Sequence, residues 1–123
     1  MTEDEMIARG KEIFEKCYGD VIAPPPVIES KALSGLAMKM FNDIWGNETL
    51  SFRDKRLIVL GIIAGLGADS SLFEIHSKSA LRNGELNADE LQAVLLTALP
   101  YVGFPRISPL VRIIDNAIAE HGS

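Results

Sequence analysis

The chain has 123 residues, a net charge of −5 and one cysteine, Cys17. A single cysteine excludes an intrachain disulfide framework, a CxxC redox pair and a cysteine zinc cluster. The acidic balance argues against nucleic acid and anionic membranes as partners. The length predicts one domain over 1–123, and 47% hydrophobic residues are enough to build its core without staples. The acidic start, Met1 to Met6, lacks the basic and apolar regions of a signal peptide, and the near-apolar run from Leu57 to Ala68 is too short to span a bilayer. The expected location is the cytoplasm, with no membrane partner.

The six prolines fall in two clusters, Pro24–Pro26 and Pro100, Pro105 and Pro109. Helical periodicity fills the proline-free stretch between them. The fold class expected is all-α, with about six helices.

The first helix covers roughly 3–18. Thr2 and Glu5 form a capping-box pattern and Gly19-Asp20 stops it. Ala23-Pro24-Pro25-Pro26 is a stiff extended connector. The second helix is expected over about 29–45, with Leu33, Leu36, Ala37, Met40, Phe41 and Ile44 as its stripe and Gly46-Asn47 as its end.

The third begins after Ser51 and runs to about Leu66. Its second half is apolar on every side, so it needs cover all round. A second subunit or the rest of the chain supplies that cover, and Gly61 and Gly65 leave room for a close neighbour. The fourth, about 71–83, has Ser71 and Glu74 as a capping box and Gly84 as its stop. The fifth, about 88–99, starts at Asn87 with Glu90 three residues on and ends at Pro100. The sixth starts with Ser108 as cap and Pro109 at its first position.

Two histidines are present. His121 lies near the C-terminus, where positive charge suits a helix end. His76 shares a helical face with Leu72, Phe73 and Ala80. It is either a packed core histidine or a proton shuttle in a pocket, because imidazole titrates near neutral pH. Glu74 points away from it. Asp43, beside Trp45 in Phe41-Asn-Asp-Ile-Trp45, either lines a pocket or is solvated. Arg53, Lys55 and Arg56 cluster at a helix N-terminus, where cations are unfavourable. They form either a solvated turn or a grip for a carboxylate. Tyr101-Val-Gly-Phe104-Pro105 is an aromatic connector that either walls a pocket or packs. No phosphate loop, nucleophile elbow, HExxH or calcium loop occurs, and no metal site is expected.

Together these segments resemble the carboxymuconolactone decarboxylase family, which includes the AhpD-like alkylhydroperoxidases. The resemblance is carried by Phe41-Asn-Asp-Ile-Trp45 leading to Arg53-Asp-Lys, the apolar stretch Leu57 to Gly67, and His76 followed by Ala80-Leu-Arg-Asn-Gly84. Asn87-Ala-Asp-Glu-Leu and Tyr101-Val-Gly-Phe-Pro105 extend it. It implies an all-helical AhpD-like fold assembled as a homo-oligomer, a trimer or a hexamer.

The peroxidase branch uses a Glu, a CxxC and the His as a relay. Here the cysteine positions fall on Ala68 or Asp69 and on Ser71 or Leu72, and the Glu position on Arg56 or Leu57. Only His76 of that relay remains, so the peroxidase cycle lacks its nucleophile and its resolving thiol. The decarboxylase branch implies a cofactor-free reaction on a small carboxylated substrate, an unsaturated lactone acid. In that reading His76 is the catalytic proton shuttle, Arg53 anchors a carboxylate, and Asp43, Trp45, Tyr101 and Phe104 contact the substrate. An AhpD-like redox protein and a non-catalytic oligomeric binding protein are the alternatives.

Overall fold

The computed structural model describes residues 1–122. These carry six α-helices and one π-helical turn, and no strand occurs among the described residues. The helices are α1 (Glu3–Tyr18), α2 (Leu33–Met40), α3 (Phe52–Leu66), α4 (Ser70–Arg82), α5 (Ala88–Val102) and α6 (Phe104–His121). The π turn, Phe41–Trp45, follows α2 directly. The chain groups into two compact units, one from Met1 to Phe52 and one beginning at Arg53.

In the first unit α1 packs on α2 and on the π turn. The capping box at its start is formed: Glu5 N donates to Thr2 Oγ1 at 3.1 Å and Thr2 N to Glu5 Oε1 at 3.2 Å. Gly19, at φ 58°, ends the helix. Gly10 allows the closest approach, because a Cβ there would lie 1.8 Å from the Met38 carbonyl oxygen. The second helix starts four residues later than its periodicity predicts. Glu29 to Ala32 instead fold as a turn, with Ala32 N and Gly35 N both donating to the Glu29 carbonyl at 3.0 and 3.1 Å. Its expected last turn is π-helical, closed by Gly46 N to the Phe41 carbonyl at 2.8 Å.

Arg9 of α1 compensates that irregular backbone. Its guanidinium donates to the Asn42 carbonyl at 3.0 Å, to Asn42 Oδ1 at 2.7 Å and to the Gly46 carbonyl at 3.2 Å. Phe14, Tyr18, Phe41, Trp45 and Phe52 form one aromatic cluster. Trp45 is stacked on Phe41 and edge-on to Phe52, with centroids 6.4 and 5.4 Å apart.

In the second unit α6 packs on α4 and α5. Leu60 and Ala64 of α3, Phe73, Ala80 and Leu81 of α4, and Ile107, Leu110, Ile114 and Ala117 of α6 share one core with Leu86, Leu91 and Leu95. Asp69, not Ser71, caps α4, accepting from Ser71 N at 2.8 Å. Glu74 is left to pair with Lys78 at 3.1 Å. The Asn87–Glu90 capping box of α5 is formed as expected.

The ends of α5 and α6 differ from expectation. Pro100 lies inside α5, and the helix continues to Val102. Gly103 alone makes the corner, at φ 97° and ψ 155°, a conformation essentially restricted to glycine. Phe104 then opens α6 with Pro105 in its first turn, and Pro109 is inside the helix. The expected start at Ser108 and the expected aromatic loop are thus replaced by one glycine between two helices. No helix among the described residues is long and apolar enough to cross a membrane.

Candidate functional site

His76 projects from the inward face of α4 with Phe73, Ser77 and Ala80, all buried. Leu72, expected on the same face, is 44% exposed. A buried imidazole needs polar partners, and α3 supplies one. Arg56 Nη1 lies 2.8 Å from His76 Nδ1. Arg56 is itself fully buried and falls at spacings of four from Leu60 and Ala64, the buried residues of α3.

A buried guanidinium needs a counter-charge. Glu85 provides it, with Arg56 Nε donating to Oε1 at 2.7 Å and Nη2 to Oε2 at 3.3 Å. Local geometry places Glu85. Gly84, at φ 69°, ends α4, and the Gly84 and Glu85 amides return to the Leu81 and Ala80 carbonyls at 3.1 and 2.9 Å. Asn83 Nδ2 also donates to Glu85 Oε2, at 3.3 Å. Burial, and then the adjacent Arg56 cation, push the His76 pKa down from 6.5 to about 4. The imidazole is therefore neutral at pH 7.

Arg53 and Tyr101 share a second feature of this unit. A cavity of about 680 Å³ between α3 and α5 is lined by Arg53, Leu57, Gly61, Glu90, Val94 and Tyr101, among others. Its walls are mostly apolar. Arg53 Nη2 pairs with Glu90 Oε2 at 2.5 Å, and both side chains are partly exposed. His76 is not among the residues lining this cavity.

The other expected contacts lie elsewhere. Phe104, largely exposed, lines an apolar groove of about 370 Å³ between α5 and α6 with Leu96, Leu99 and Val111. Trp45, buried in the aromatic cluster, borders a cleft of about 160 Å³ in the first unit with Arg9, Ile13 and Lys16. Asp43 is exposed and accepts from Asn42 Nδ2 at 2.9 Å.

Sequence reasoning missed Glu85, and it left Arg56 in a cationic cluster that was either a solvated turn or a grip for a carboxylate. The signal for Arg56 was its register with Leu60 and Ala64. Glu85 carried no periodic signal, because its position depends on the turn at Gly84.

An all-α chain with an inward histidine on its fourth helix and no thiol pair defines the class. Residues 32–116 match the carboxymuconolactone decarboxylase family, and the chain belongs to that family. An uncharacterized protein of Methanocaldococcus jannaschii is 22% identical over 116 residues, covering 94% of this chain and 99% of the relative. No solved structure matches the chain.

Proposed function

We propose that the chain is a cofactor-free carboxymuconolactone decarboxylase-like enzyme, acting by decarboxylation or proton transfer on a small unsaturated lactone acid. The observation that carries this reading is the cavity between α3 and α5, apolar along its walls with a guanidinium at one end. A substrate carboxylate takes Arg53 in place of Glu90. The exchange costs little, because a partly exposed ion pair contributes at most about 1 kcal/mol. Apolar surroundings disfavour a charged carboxylate and so favour its loss as carbon dioxide. The C–C bond to that carboxylate breaks, its electron pair moves into the conjugated lactone, and a carbon takes up a proton. His76 serves the proton side of this reaction. A homo-oligomer is part of the proposal, supported by the exposed apolar ridge Ile58, Ile62 and Leu66 on α3.

The test is turnover of carboxymuconolactone-type acids, read as carbon dioxide release. Wild type is expected to be active. Arg53→Ala is expected to lose about tenfold or more in kcat/KM, and His76→Ala about 100-fold or more in kcat. No release by wild type across the panel rejects the enzyme reading. A second reading, a non-catalytic small-molecule-binding protein, is favoured by the burial of His76 away from the cavity lining. Saturable binding of the same acids without turnover would assign it. The redox alternative has only Cys17, which is fully buried on α1.

A further inference from the structure

Gly61 and Gly65 stand in the interior of α3, where glycine is destabilising relative to alanine. Neither has a positive φ, and a Cβ on either would meet nothing within 4 Å. Gly10 and Gly35 differ, since a Cβ there would lie 1.8 and 2.2 Å from the backbone carbonyl oxygens of Met38 and Glu29. Packing within the chain therefore explains Gly10 and Gly35 but not Gly61. Its place sets Gly61 apart from Gly65 as well. Gly61 lines the cavity between α3 and α5, and Gly65 does not. A side chain at position 61 would enter that cavity.

The lining gives the cavity a direction. Arg53, Leu57 and Gly61 recur every four residues and so share one face of α3. Arg53 is held beside Glu90 at the first turns of α3 and α5. Gly61 lies about two turns further on, about 12 Å from Arg53 along the helix axis. Arg53 and Glu90 are the charged lining residues, and Leu57, Val94 and Ala98 belong to the apolar wall beyond them. We propose that Gly61 is the specificity-determining residue of this cavity, admitting carboxylic acids whose apolar body extends from Arg53 to the level of Gly61. The proposal rests on Arg53 as the carboxylate anchor of the decarboxylase-like reading. The substrate class it selects is an acid with an apolar extension beyond the reacting ring. Each methylene of that extension buried against the wall strengthens binding by up to about fourfold. A larger residue at position 61 ends the gain at its own level and leaves shorter acids unaffected.

The probes are straight-chain carboxylates from butanoate to decanoate. The readout is Kd for the full-length chain by ligand-observed NMR titration, which needs no turnover. Wild-type affinity is expected to rise along the series. Gly61→Leu is expected to bind butanoate as wild type does and decanoate at least about tenfold more weakly. Gly61→Ala is a smaller intrusion that improves the helix. It is expected to raise Tm and to weaken decanoate alone, by about threefold. No saturable binding of any acid by wild type, an unchanged series in both variants, or equal weakening of butanoate and decanoate overturns the proposal. A lowered Tm in Gly61→Ala also overturns it, because the fold itself would then require the glycine.

Light scattering of Gly61→Leu is expected to give the wild-type mass. A smaller mass with unchanged helical content shows a second copy seated on Gly61 and overturns the proposal. Arg53→Ala is expected to weaken butanoate and decanoate by the same factor, about tenfold. If Arg53→Ala leaves both unchanged while Gly61→Leu keeps its length-dependent loss, the carboxylate anchor fails and the role of Gly61 stands. Length-dependent binding without carbon dioxide release rejects the enzyme reading and leaves the role of Gly61 in place.

Discussion

Arg56 and Arg53 lie three residues apart on α3, and both pair with a glutamate, yet their surroundings give the two pairs opposite weights. Arg56 is fully buried, and its partner Glu85 is nearly as enclosed. Glu85→Ala would strand a buried cation, and the expected cost is about 3–5 kcal/mol in the denaturant midpoint. Arg53→Ala breaks a solvent-exposed pair and is expected to cost less than about 1 kcal/mol by the same measurement.

His76 adds a pH dependence. Its imidazole titrates at about 4 in the fold, against 6.5 for the unperturbed group. Between those values the unfolded chain binds more protons, so stability rises with pH across that window. The contribution is fully present above about pH 6.5 and disappears as pH falls toward 4. Its size is about 3 kcal/mol. Urea titrations from pH 4 to 7 are expected to show this slope in wild type and a flatter profile in His76→Gln. His76 was legible as an inward histidine from its face shared with Leu72, Phe73 and Ala80, although Leu72 itself is exposed. Its partners were not, since a 56–76–85 cluster is a product of tertiary packing.

Among the elements, local chemistry predicted best where it is self-contained. The capping boxes at Thr2–Glu5 and Asn87–Glu90 were readable because each needs only four consecutive residues. The π turn was not readable, because the residue that satisfies it, Arg9, lies on another helix. The prolines misled for a related reason. Pro100 and Pro109 each remove one helical hydrogen bond, but the packing of α5 and α6 around Leu95, Ile107 and Leu110 outweighs that loss.

The corner between these helices therefore rests on Gly103. Gly103→Ala forces a side chain into a glycine-only conformation and is expected to lower stability by about 1–3 kcal/mol. Thermal melting followed by circular dichroism checks this. A Gly103→Ala chain as stable as wild type contradicts the account of the corner.

For the whole molecule, the all-α class followed from helical periodicity between the proline clusters, and the family from the order of short motifs along the chain. The grouping into two compact units did not, because no composition break or linker marks residue 52. The apolar surface is the main feature at this scale. Ile58 and Ile62 are about half exposed and Leu66 is 71% exposed, while Gly61 and Gly65 present open backbone between them. An exposed apolar ridge of this kind is the surface on which the proposed homo-oligomer would form. On the proposal of a homo-oligomer, light scattering is expected to give a multiple of the protomer mass. Ile58→Lys with Ile62→Lys is expected to shift it to the monomer while helical content is unchanged. A wild-type monomer at micromolar concentration rejects this part of the proposal.

The unequal burial of the two arginine–glutamate pairs also makes ionic strength a selective lever. Dissolved ions screen charges that face water within roughly 10 Å or less at ordinary salt, but reach an enclosed pair poorly. Added salt therefore weakens the hold of Arg53 on Glu90, while the enclosed pair of Arg56 and Glu85 is little affected. Salt concentration alone thus separates the two pairs in one unmodified protein.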